Sequence, residues 1–281
     1  NSSAASDVYK RQETTRLVGD TQNRWIIIAS QIDELRVEGL ALVSRPLVSG
    51  KPGGIWATSC GRVIIRDCEI TGNSSLGLSL GVSSSGGDEA WIIIERSAIT
   101  AVDADFSIAC SSPNIRVSHC FMTDGAYLKG GKSVVEDSIF VGAGLGLNAS
   151  SAEVRRCSFY GGTISLEDGH NLIEKCKLIG GGITGEIYYD NRGISGETVI
   201  RDCLISDRPY KSGLSGVSWT VWSSKPGHMP STMASVAPAL AEETMTLTDD
   251  RFSLEMTNCT VTNNIYGVWC YADFKWISAP F

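Results

Sequence analysis

The chain has 281 residues and a formal net charge of −7, from 24 Lys and Arg against 31 Asp and Glu. This acidic balance is the wrong sign for binding the phosphates of a nucleic acid, and no uncharged apolar run approaches the ~18 residues that a membrane-spanning helix needs. Nine cysteines without a C-x-x-C pair favour neither a complete disulfide framework nor a zinc ribbon. We therefore predict no nucleic-acid partner, no membrane-spanning segment, no metal and no cofactor.

The first twelve residues, NSSAASDVYKRQ, belong to no repeat and have neither an initiator Met nor the pattern of a signal peptide. They resemble translated sequencing adapter at the end of a gene fragment. We therefore expect residues 1–12 to be a non-native or disordered tail and residues 13–281 to form a single domain.

A small residue, which we call the anchor, recurs along the rest of the chain. Its spacing runs from 18 to 29 residues, except for a last interval of 56, which predicts one hidden or distorted coil before the final anchor. The anchors are Gly39, Cys68, Ser97, Cys120, Ser138, Cys157, Cys176, Cys203 and Cys259.

Other residue types keep fixed positions around the last eight anchors. Apolar residues stand three positions before and two positions after every one of them, and Gly, Asp or Asn stands four positions after seven of them. Gly, Asp and Asn tolerate the positive φ of a turn, so each repeat is a strand, a bend and a second strand. Such a unit cannot bury its own inner face, so the repeats are expected to stack as coils ~4.8 Å apart. Leucine-rich repeats share this period, but their leucine pattern and helix are missing.

Six of the nine cysteines fall on anchor positions. A buried free cysteine behaves as a small apolar residue, whereas metal ligands must converge on one point. Because these cysteines would stack in single file, we expect packing rather than metal binding. We also expect Cys157 and Cys176 to point inward on adjacent coils and to label slowly in the native protein.

Mostly charged residues fill the two positions before the last eight anchors, and their signs largely alternate along the stack. Opposite charges follow each other at 67/96, 137/156 and 175/202, which predicts structural ion pairs rather than the crowded carboxylates of a catalytic site. His119 belongs to these columns and is expected to be a bend residue. His170 and His228 have no evident partner, which is typical of loop histidines.

Several segments resemble the repeat of the pectin-lyase-like superfamily over roughly residues 25–270. They are VIIRDCEITG, IRVSHCFMTDG, AEVRRCSFYGG, LIEKCKLIGGG, TVIRDCLISD and LEMTNCTVTNN. The resemblance implies an all-β fold, a right-handed parallel β-helix of about nine to ten coils, and an extracellular or cell-surface location.

The catalytic blocks of that superfamily are incomplete in this sequence. Polygalacturonase-like enzymes carry Asp-Asp and Gly-His-Gly, whereas this chain has only Asp249-Asp250 in an irregular stretch and Gly169-His170 followed by Asn171. The Trp-Ile-Asp-His block of many pectate lyases is replaced by Trp91-Ile92-Ile93-Ile94. The resemblance therefore predicts the fold better than it predicts an activity.

Binding sites on such scaffolds come from loops, and only the longer coils have residues to spare for them. Candidates are 81–90, 102–106, 187–197 and a long loop insertion at about 207–250, within which VSWTVWSS is predicted to be a strand. Aromatic residues beside polar ones suit stacking on a sugar ring, although they also fasten inserts to a scaffold. The predicted ligand-binding residues are Tyr188, Tyr189, Asp190, Arg208, Trp219 and Trp222.

We predict a non-catalytic β-helix scaffold or glycan-binding surface with a polysaccharide as its partner, forming part of a larger secreted or surface protein. The alternative is a lyase or glycoside hydrolase acting on an acidic polysaccharide, with Arg208 or Lys211 as its basic residue. An intracellular interaction module is a third possibility. Because no polar cap is evident at either end, we expect the full-length protein to continue into further coils or domains.

Overall fold

The computed structural model contains strands and no helix in the residues that it describes. These residues are 15–19, 25–44, 53–73, 78–82, 90–102, 107–142, 144–167, 169–189, 196–206, 215–223, 235–236, 240–241, 245–249, 252–262 and 266–274. The predicted tail at 1–12 lies outside them.

Short strands follow one another along the whole described chain. The first fifteen are β1 (Thr15–Gly19), β2 (Trp25–Ser30), β3 (Glu34–Glu38), β4 (Leu40–Ser44), β5 (Gly53–Cys60), β6 (Arg62–Arg66), β7 (Glu69–Asn73), β8 (Leu78–Val82), β9 (Trp91–Glu95), β10 (Ala98–Val102), β11 (Ile108–Ser118), β12 (Phe121–Thr123), β13 (Ala126–Glu136), β14 (Ile139–Val141) and β15 (Leu145–Arg155). The others are β16 (Ser158–Tyr160), β17 (Ile164–Leu166), β18 (His170–Glu174), β19 (Lys177–Ile179), β20 (Ile183–Tyr189), β21 (Gly196–Arg201), β22 (Leu204–Ser206), β23 (Ser215–Ser223), β24 (Ser235–Val236), β25 (Leu240–Ala241), β26 (Met245–Asp249), β27 (Phe252–Thr257), β28 (Cys259–Thr262) and β29 (Tyr266–Phe274).

The strands form three parallel sheets that the chain visits in turn, once per coil. Sheet 1 contains β1, β4, β7, β10, β12, β14, β16, β19, β22 and β28. Sheet 2 contains β2, β5, β8, β17, β20, β23 and β29, and sheet 3 contains β3, β6, β9, β18, β21 and β27, while β11, β13 and β15 run through both. The ten parallel strands of sheet 1 agree with the predicted nine to ten coils.

Inward columns of apolar side chains form one core along the axis, as predicted. The column two positions after the last eight anchors is buried and contains Ile70, Ile99, Met122, Phe140, Phe159, Leu178, Ile205 and Val261. The column three positions before the anchors is equally buried, from Ile65 to Met256. Strand alternation explains both columns, because every second residue of a strand faces the same side.

The corner between sheets 3 and 1 is a single residue in the left-handed conformation. In eight coils a charged, His or Asn residue there has φ between 48 and 55°, namely Asp67, Arg96, His119, Asp137, Arg156, Lys175, Asp202 and Asn258. Its backbone N–H donates to a carbonyl of the next coil, for example from Asp67 to Glu95 at 3.1 Å. His119 is therefore a bend residue, as predicted. The positive-φ turn predicted four positions after the anchor occurs at Asp124, Gly142, Gly161 and Gly180.

The anchor side chain connects adjacent coils by hydrogen bonds just after this corner. The Ser97 hydroxyl accepts from the Cys68 backbone N–H at 3.1 Å and donates to the Glu95 carbonyl at 2.9 Å. Cysteine thiols take the same place, since the Cys176 thiol contacts the carbonyls of Glu174 and Val154 at 3.3 and 3.5 Å. A small side chain that both donates and accepts makes these bonds, which explains why Cys or Ser occupies the last eight anchor positions.

The first anchor is shifted by one residue from its predicted position. Gly39 has a φ of 65° and occupies the corner, and the pairing of Ala41 with Glu69 makes Leu40 the equivalent of Cys68. The sequence predicts Gly39 as the anchor because a small residue is expected there, but this glycine supplies the positive φ of the corner instead.

The predicted hidden coil before Cys259 does not exist. Leu204 pairs directly with Thr260, so the coils of Cys203 and Cys259 are neighbours. The intervening chain forms β23, which extends sheet 2, and then β24, β25 and β26, which pair antiparallel with β29, β28 and β27. These three strands lie along part of every strand of the last coil, so the prediction of an uncapped edge at this end is wrong. Continuation into further coils or domains stays a prediction.

Candidate functional site

Ion pairs run along the corner of the solenoid between neighbouring coils. Arg96 Nε lies 2.8 Å from Asp67 Oδ1, and Arg156 Nη2 lies 2.7 Å from Asp137 Oδ2, which confirms two of the three predicted steps. At the third step, Lys175 instead lies 3.8 Å from Glu174, and Asn258 donates to the carboxylate of Asp202 at 2.6 Å.

The second charged column, two positions before the anchors, is paired in the same way. Arg66 Nε lies 2.8 Å from Glu95, and Glu174 lies between Arg155 at 3.7 Å and Arg201 at 3.0 Å. Hydrogen bonds from the Arg156 guanidinium lower the pKa of Asp137, which is the opposite of what a general acid needs. These charges hold coils together, as the alternating signs predicted.

The two described histidines are exposed and lie beside carboxylates of the next coil. His119 Nε2 is 3.9 Å from Asp137, and His170 Nδ1 is 3.4 Å from Glu197. The interpretation of His170 as a loop residue without a partner is therefore wrong, because it begins β18 and is the register neighbour of Glu197. His228 lies outside the described residues.

Sheet 2 contains four of the six residues predicted to bind a ligand. Tyr188 on β20 is the register partner of Trp222 on β23, and Tyr189 is the partner of Ser223. Trp219 stands three positions earlier, in register with Gly185. Asp190 and Arg208 lie outside the described residues, as do the candidate loop residues Asp103 and Asp105.

A shallow groove opens on the outer face of sheet 2, across the short central coils formed by β13, β15 and β17. Its volume is about 410 Å³, and its lining combines one tyrosine and one glutamate with small residues. The lining residues are Tyr127, Gly144, Leu145, Gly146, Leu147, Gly161, Gly162, Thr163, Ser165 and Glu167. We call it the Tyr127 groove.

The floor of the groove is glycine, which lets the tyrosine ring lie against the sheet. Tyr127 and Gly146 are register partners, and a Cβ added to Gly146 would stand 2.8 Å from Cδ2 of the Tyr127 ring. A Cβ on Gly144 would lie only 2.0 Å from the backbone oxygen of Thr163. Gly146 therefore makes room for the Tyr127 side chain, whereas Gly144 allows the backbones of two coils to approach closely.

Polar groups form the other side of the groove. The Asn148 side-chain N–H₂ donates to the Tyr127 hydroxyl at 3.4 Å and also to the Glu167 carboxylate. Further along the axis, the hydroxyls of Ser165 and Thr184 lie 3.1 Å apart on neighbouring strands. The groove lining thus combines the Tyr127 ring, the Ser165 hydroxyl and the Glu167 carboxylate, and the neighbouring Asn148 amide binds two of these side chains.

Sequence reasoning missed this groove because it looked for loops, whereas the groove consists of outward strand residues in coils with no spare length. A signal was present in the sequence. Gly146 occupies an outward position of β15, where a polar side chain would be usual, and it is the register partner of Tyr127.

Comparison with known families agrees with this architecture. Residues 53–224, more than half of the chain, match the family described as the right-handed beta helix region. The chain belongs to the right-handed β-helix family. This match confirms the predicted fold and its handedness. Comparison with curated proteins and with solved structures gives no significant match.

The eight described cysteines of this right-handed β-helix are free and buried. A hydrogen bond with the Cys157 thiol raises the pKa of Cys176 to about 12, and burial raises the pKa of Cys120 to about 12. These thiols are protonated at neutral pH, and the thiolate is the form that binds metals. The described residues contain no group of three or more His, Cys, Asp or Glu that could hold a metal ion.

The right-handed β-helix shows no membrane-crossing helix in the part of the chain that the structure describes.

Proposed function

We propose that this β-helix binds a glycan in the Tyr127 groove without cleaving it. The observation that carries the proposal is the Tyr127 ring lying over glycine beside the Asn148 and Glu167 side chains. A sugar ring presents an apolar C–H face and a rim of hydroxyls, so it pairs well with an aromatic ring flanked by hydrogen-bonding groups.

The charges of the described coils support binding rather than hydrolysis. Hydrolysis of a glycosidic bond by the usual mechanism needs two carboxyl groups on either side of the bond. Among the residues that line the groove, Glu167 is the one carboxylate. The corner carboxylates of Asp67 and Asp137 belong to ion pairs between coils, and the arginine partner of Asp137 lowers the pKa of that carboxyl group.

The rest of sheet 2 offers a continuation of this surface. Tyr188 and Trp222 are register partners on β20 and β23, and β20 directly follows β17 in the same sheet. A polysaccharide lying along the axis would reach these positions after the groove. The proposed glycan-binding protein would act outside the cell or at the cell surface, the location that the resemblance to the pectin-lyase-like superfamily implies.

Binding to polysaccharides tests the proposal. We expect the protein to bind at least one of a set of soluble and insoluble glycans, and Tyr127→Ala to weaken that binding at least tenfold, about 1.4 kcal/mol. Trp222→Ala is expected to weaken binding to long chains and to spare short oligosaccharides. Tyr160→Ala is the matched control, because Tyr160 is 42% exposed but lies on sheet 1.

Two results would contradict the proposal. Equal loss of binding in Tyr127→Ala and Tyr160→Ala would show that the groove is not the site. Release of reducing ends or of an unsaturated product would favour the alternative function, a polysaccharide lyase or hydrolase. In that case loss of turnover on changing Arg208, Lys211 or Asp190 would locate the chemistry.

A further inference from the structure

The outer face of sheet 1 is apolar across its central coils. Alternating burial along β12, β14, β16 and β19 shows which of their residues face outward. Val141 and Tyr160 are 37% and 42% exposed, and the neighbouring outward residues Phe121, Ile139 and Ile179 are half-buried. Apolar residues scattered singly over a surface need no explanation, whereas a contiguous apolar patch marks a site of interaction. This surface is therefore a candidate interface.

Two opposite charges lie at equal distances from the centre of this patch. One outward position of sheet 1, followed in register from β7 to β19, contains Glu69, Ala98, Phe121, Ile139, Ser158 and Lys177. Glu69 lies two coils before Phe121, and Lys177 lies two coils after Ile139. Both charged side chains are exposed, and neither forms an ion pair within the described part of the chain. They differ in this from the Asp–Arg pairs of the corner, which connect neighbouring coils.

We propose that sheet 1 is the interface of an antiparallel homodimer of this chain. A two-fold axis along the strand direction, passing between β12 and β14, brings Glu69 of each copy opposite Lys177 of the other. The same rotation brings Phe121 opposite Ile139, so the apolar centres of the two copies meet. Among the outward strand residues of sheet 1 that the structure describes, no like charges oppose each other. The surface is thus complementary to itself, as a two-fold interface requires.

The size of sheet 1 sets the strength of this dimer. The proposed axis divides its ten parallel strands into two groups of five, so that the sheets of both copies overlap completely. Nine steps of ~4.8 Å make the sheet about 43 Å long, and three residues per strand make it about 10 Å wide. Complete overlap therefore buries roughly 500 Å² of each copy, or about 1,000 Å² in total, which is the lower limit of specific interfaces. We expect a weak dimer with a Kd on the order of 10–100 µM.

The dimer is independent of glycan binding, because the Tyr127 groove lies on sheet 2 and stays open. At low micromolar concentration most of the protein is monomeric, and Tyr160→Ala still serves there as the control for the groove. A chain that dimerises through sheet 1 but binds no sugar would contradict the proposed function alone. A chain that binds sugar through Tyr127 but stays monomeric would contradict the dimer alone.

Sedimentation equilibrium of the whole chain, from about 5 µM to about 1 mM, measures the dimer directly. Glu69→Lys and Lys177→Glu each convert two attractive contacts into repulsive ones, so each should weaken the dimer about tenfold. An equimolar mixture of these two variants should dimerise like the wild type, because every Lys then faces a Glu. The chain that carries both substitutions should also recover. A parallel dimer would place Glu69 opposite Glu69, so the single substitutions would not weaken it.

Val141→Asp tests the apolar centre, because it places two carboxylates close to the axis, and it should weaken the dimer at least tenfold. Two charge reversals elsewhere are the matched controls. Glu197→Lys lies on sheet 3 and is 58% exposed, and Lys129→Glu is exposed on the part of β13 that belongs to sheet 2. Both should leave the dimer affinity within twofold. Thermal melts check that every variant keeps the wild-type fold.

Three results would overturn the inference. The first is a wild-type chain that stays monomeric at the highest concentration. The second is equal weakening by the sheet 1 variants and the two control variants, which would indicate an effect of net charge. The third is a mixture of Glu69→Lys and Lys177→Glu that fails to recover the wild-type affinity, because these two residues would then not face each other.

Discussion

Replacing Phe159 with alanine should remove one of the largest buried contacts between coils. Phe159 and Phe140 are 0% and 1% exposed, and their rings stack with centroids 4.6 Å apart and planes inclined by 8°. Truncating a buried phenylalanine costs about 3–5 kcal/mol, because the transfer free energy is lost and a cavity remains. The stacking interaction itself contributes about 0.5–1.5 kcal/mol of this. Urea unfolding measures the total loss, and hydrogen exchange of β14 and β16 amides shows where it acts.

The neighbouring tyrosine supplies the control. Tyr160 follows Phe159 on β16 but faces outward, so Tyr160→Ala should change the free energy of unfolding by about 0.5 kcal/mol or less. A cycle of Phe140→Leu and Phe159→Leu should give a coupling of about 0.5–1.5 kcal/mol. Equal effects of the two alanine variants, or a coupling near zero, would refute the stacked-column interpretation.

Further predictions concern the anchors, the corner and the glycines. Cys176→Ser should cost about 1 kcal/mol or less because a hydroxyl can make the same bonds, whereas Cys176→Val should cost about 1–3 kcal/mol by leaving backbone groups unpaired, as denaturation would show. In the native state the Cys176 thiol should label slowly, and in denaturant rapidly. The arginine partner of Asp137 lowers the pKa of this carboxyl group in the folded state. The ion pair therefore stabilises the protein above the pKa of the unfolded state, and this stabilisation is lost as the pH falls through the pKa of the folded state. Asp137→Asn should make the free energy of unfolding depend less on pH in this acid range, as denaturation at several pH values would show. Gly130→Ala should unfold the central coils in a thermal melt, because its Cβ would lie 1.7 Å from a backbone oxygen, whereas Gly146→Ala should keep the fold and displace the Tyr127 ring, weakening glycan binding.

The architecture was predictable because the repeated residues are side chains that pack in one core. The columns containing Ile65 and Phe140 were found from spacing alone, since each coil must supply an apolar residue at the same place. The prediction was wrong where a residue is selected for its backbone conformation and not for its packing in the core. Gly39 fits the small residue expected at an anchor, but glycine also tolerates the left-handed corner, and spacing alone does not distinguish two adjacent positions.

The hidden coil illustrates a different limit. An interval of 56 residues before Cys259 is twice 28, which lies within the range of the other spacings, but the chain uses it for β23 and three reversed strands. Short antiparallel strands carry no repeat, so periodicity cannot show them.

The candidate groove was missed for a related reason. The Tyr127 ring lies where Gly146 has no side chain, and residue spacing does not show that this glycine lies against the tyrosine of another coil. Only the register of Tyr127 with Gly146 brings them together. The pairing of Tyr188 with Trp222 on adjacent strands could not be predicted from residue spacing either, although both residues were predicted to bind a ligand.

The reversed strands have a consequence for how the chain folds. β24, β25 and β26 precede β27, β28 and β29 in sequence, yet they lie on the far side of the final coil. That coil must therefore enter a slot between two layers, instead of being added to an open end like the coils before it. We expect the last two layers to form as one late cooperative unit, slowed by its long-range contacts. Unfolding would begin at β1, β2 and β3, which in the described chain have neighbours on one side only.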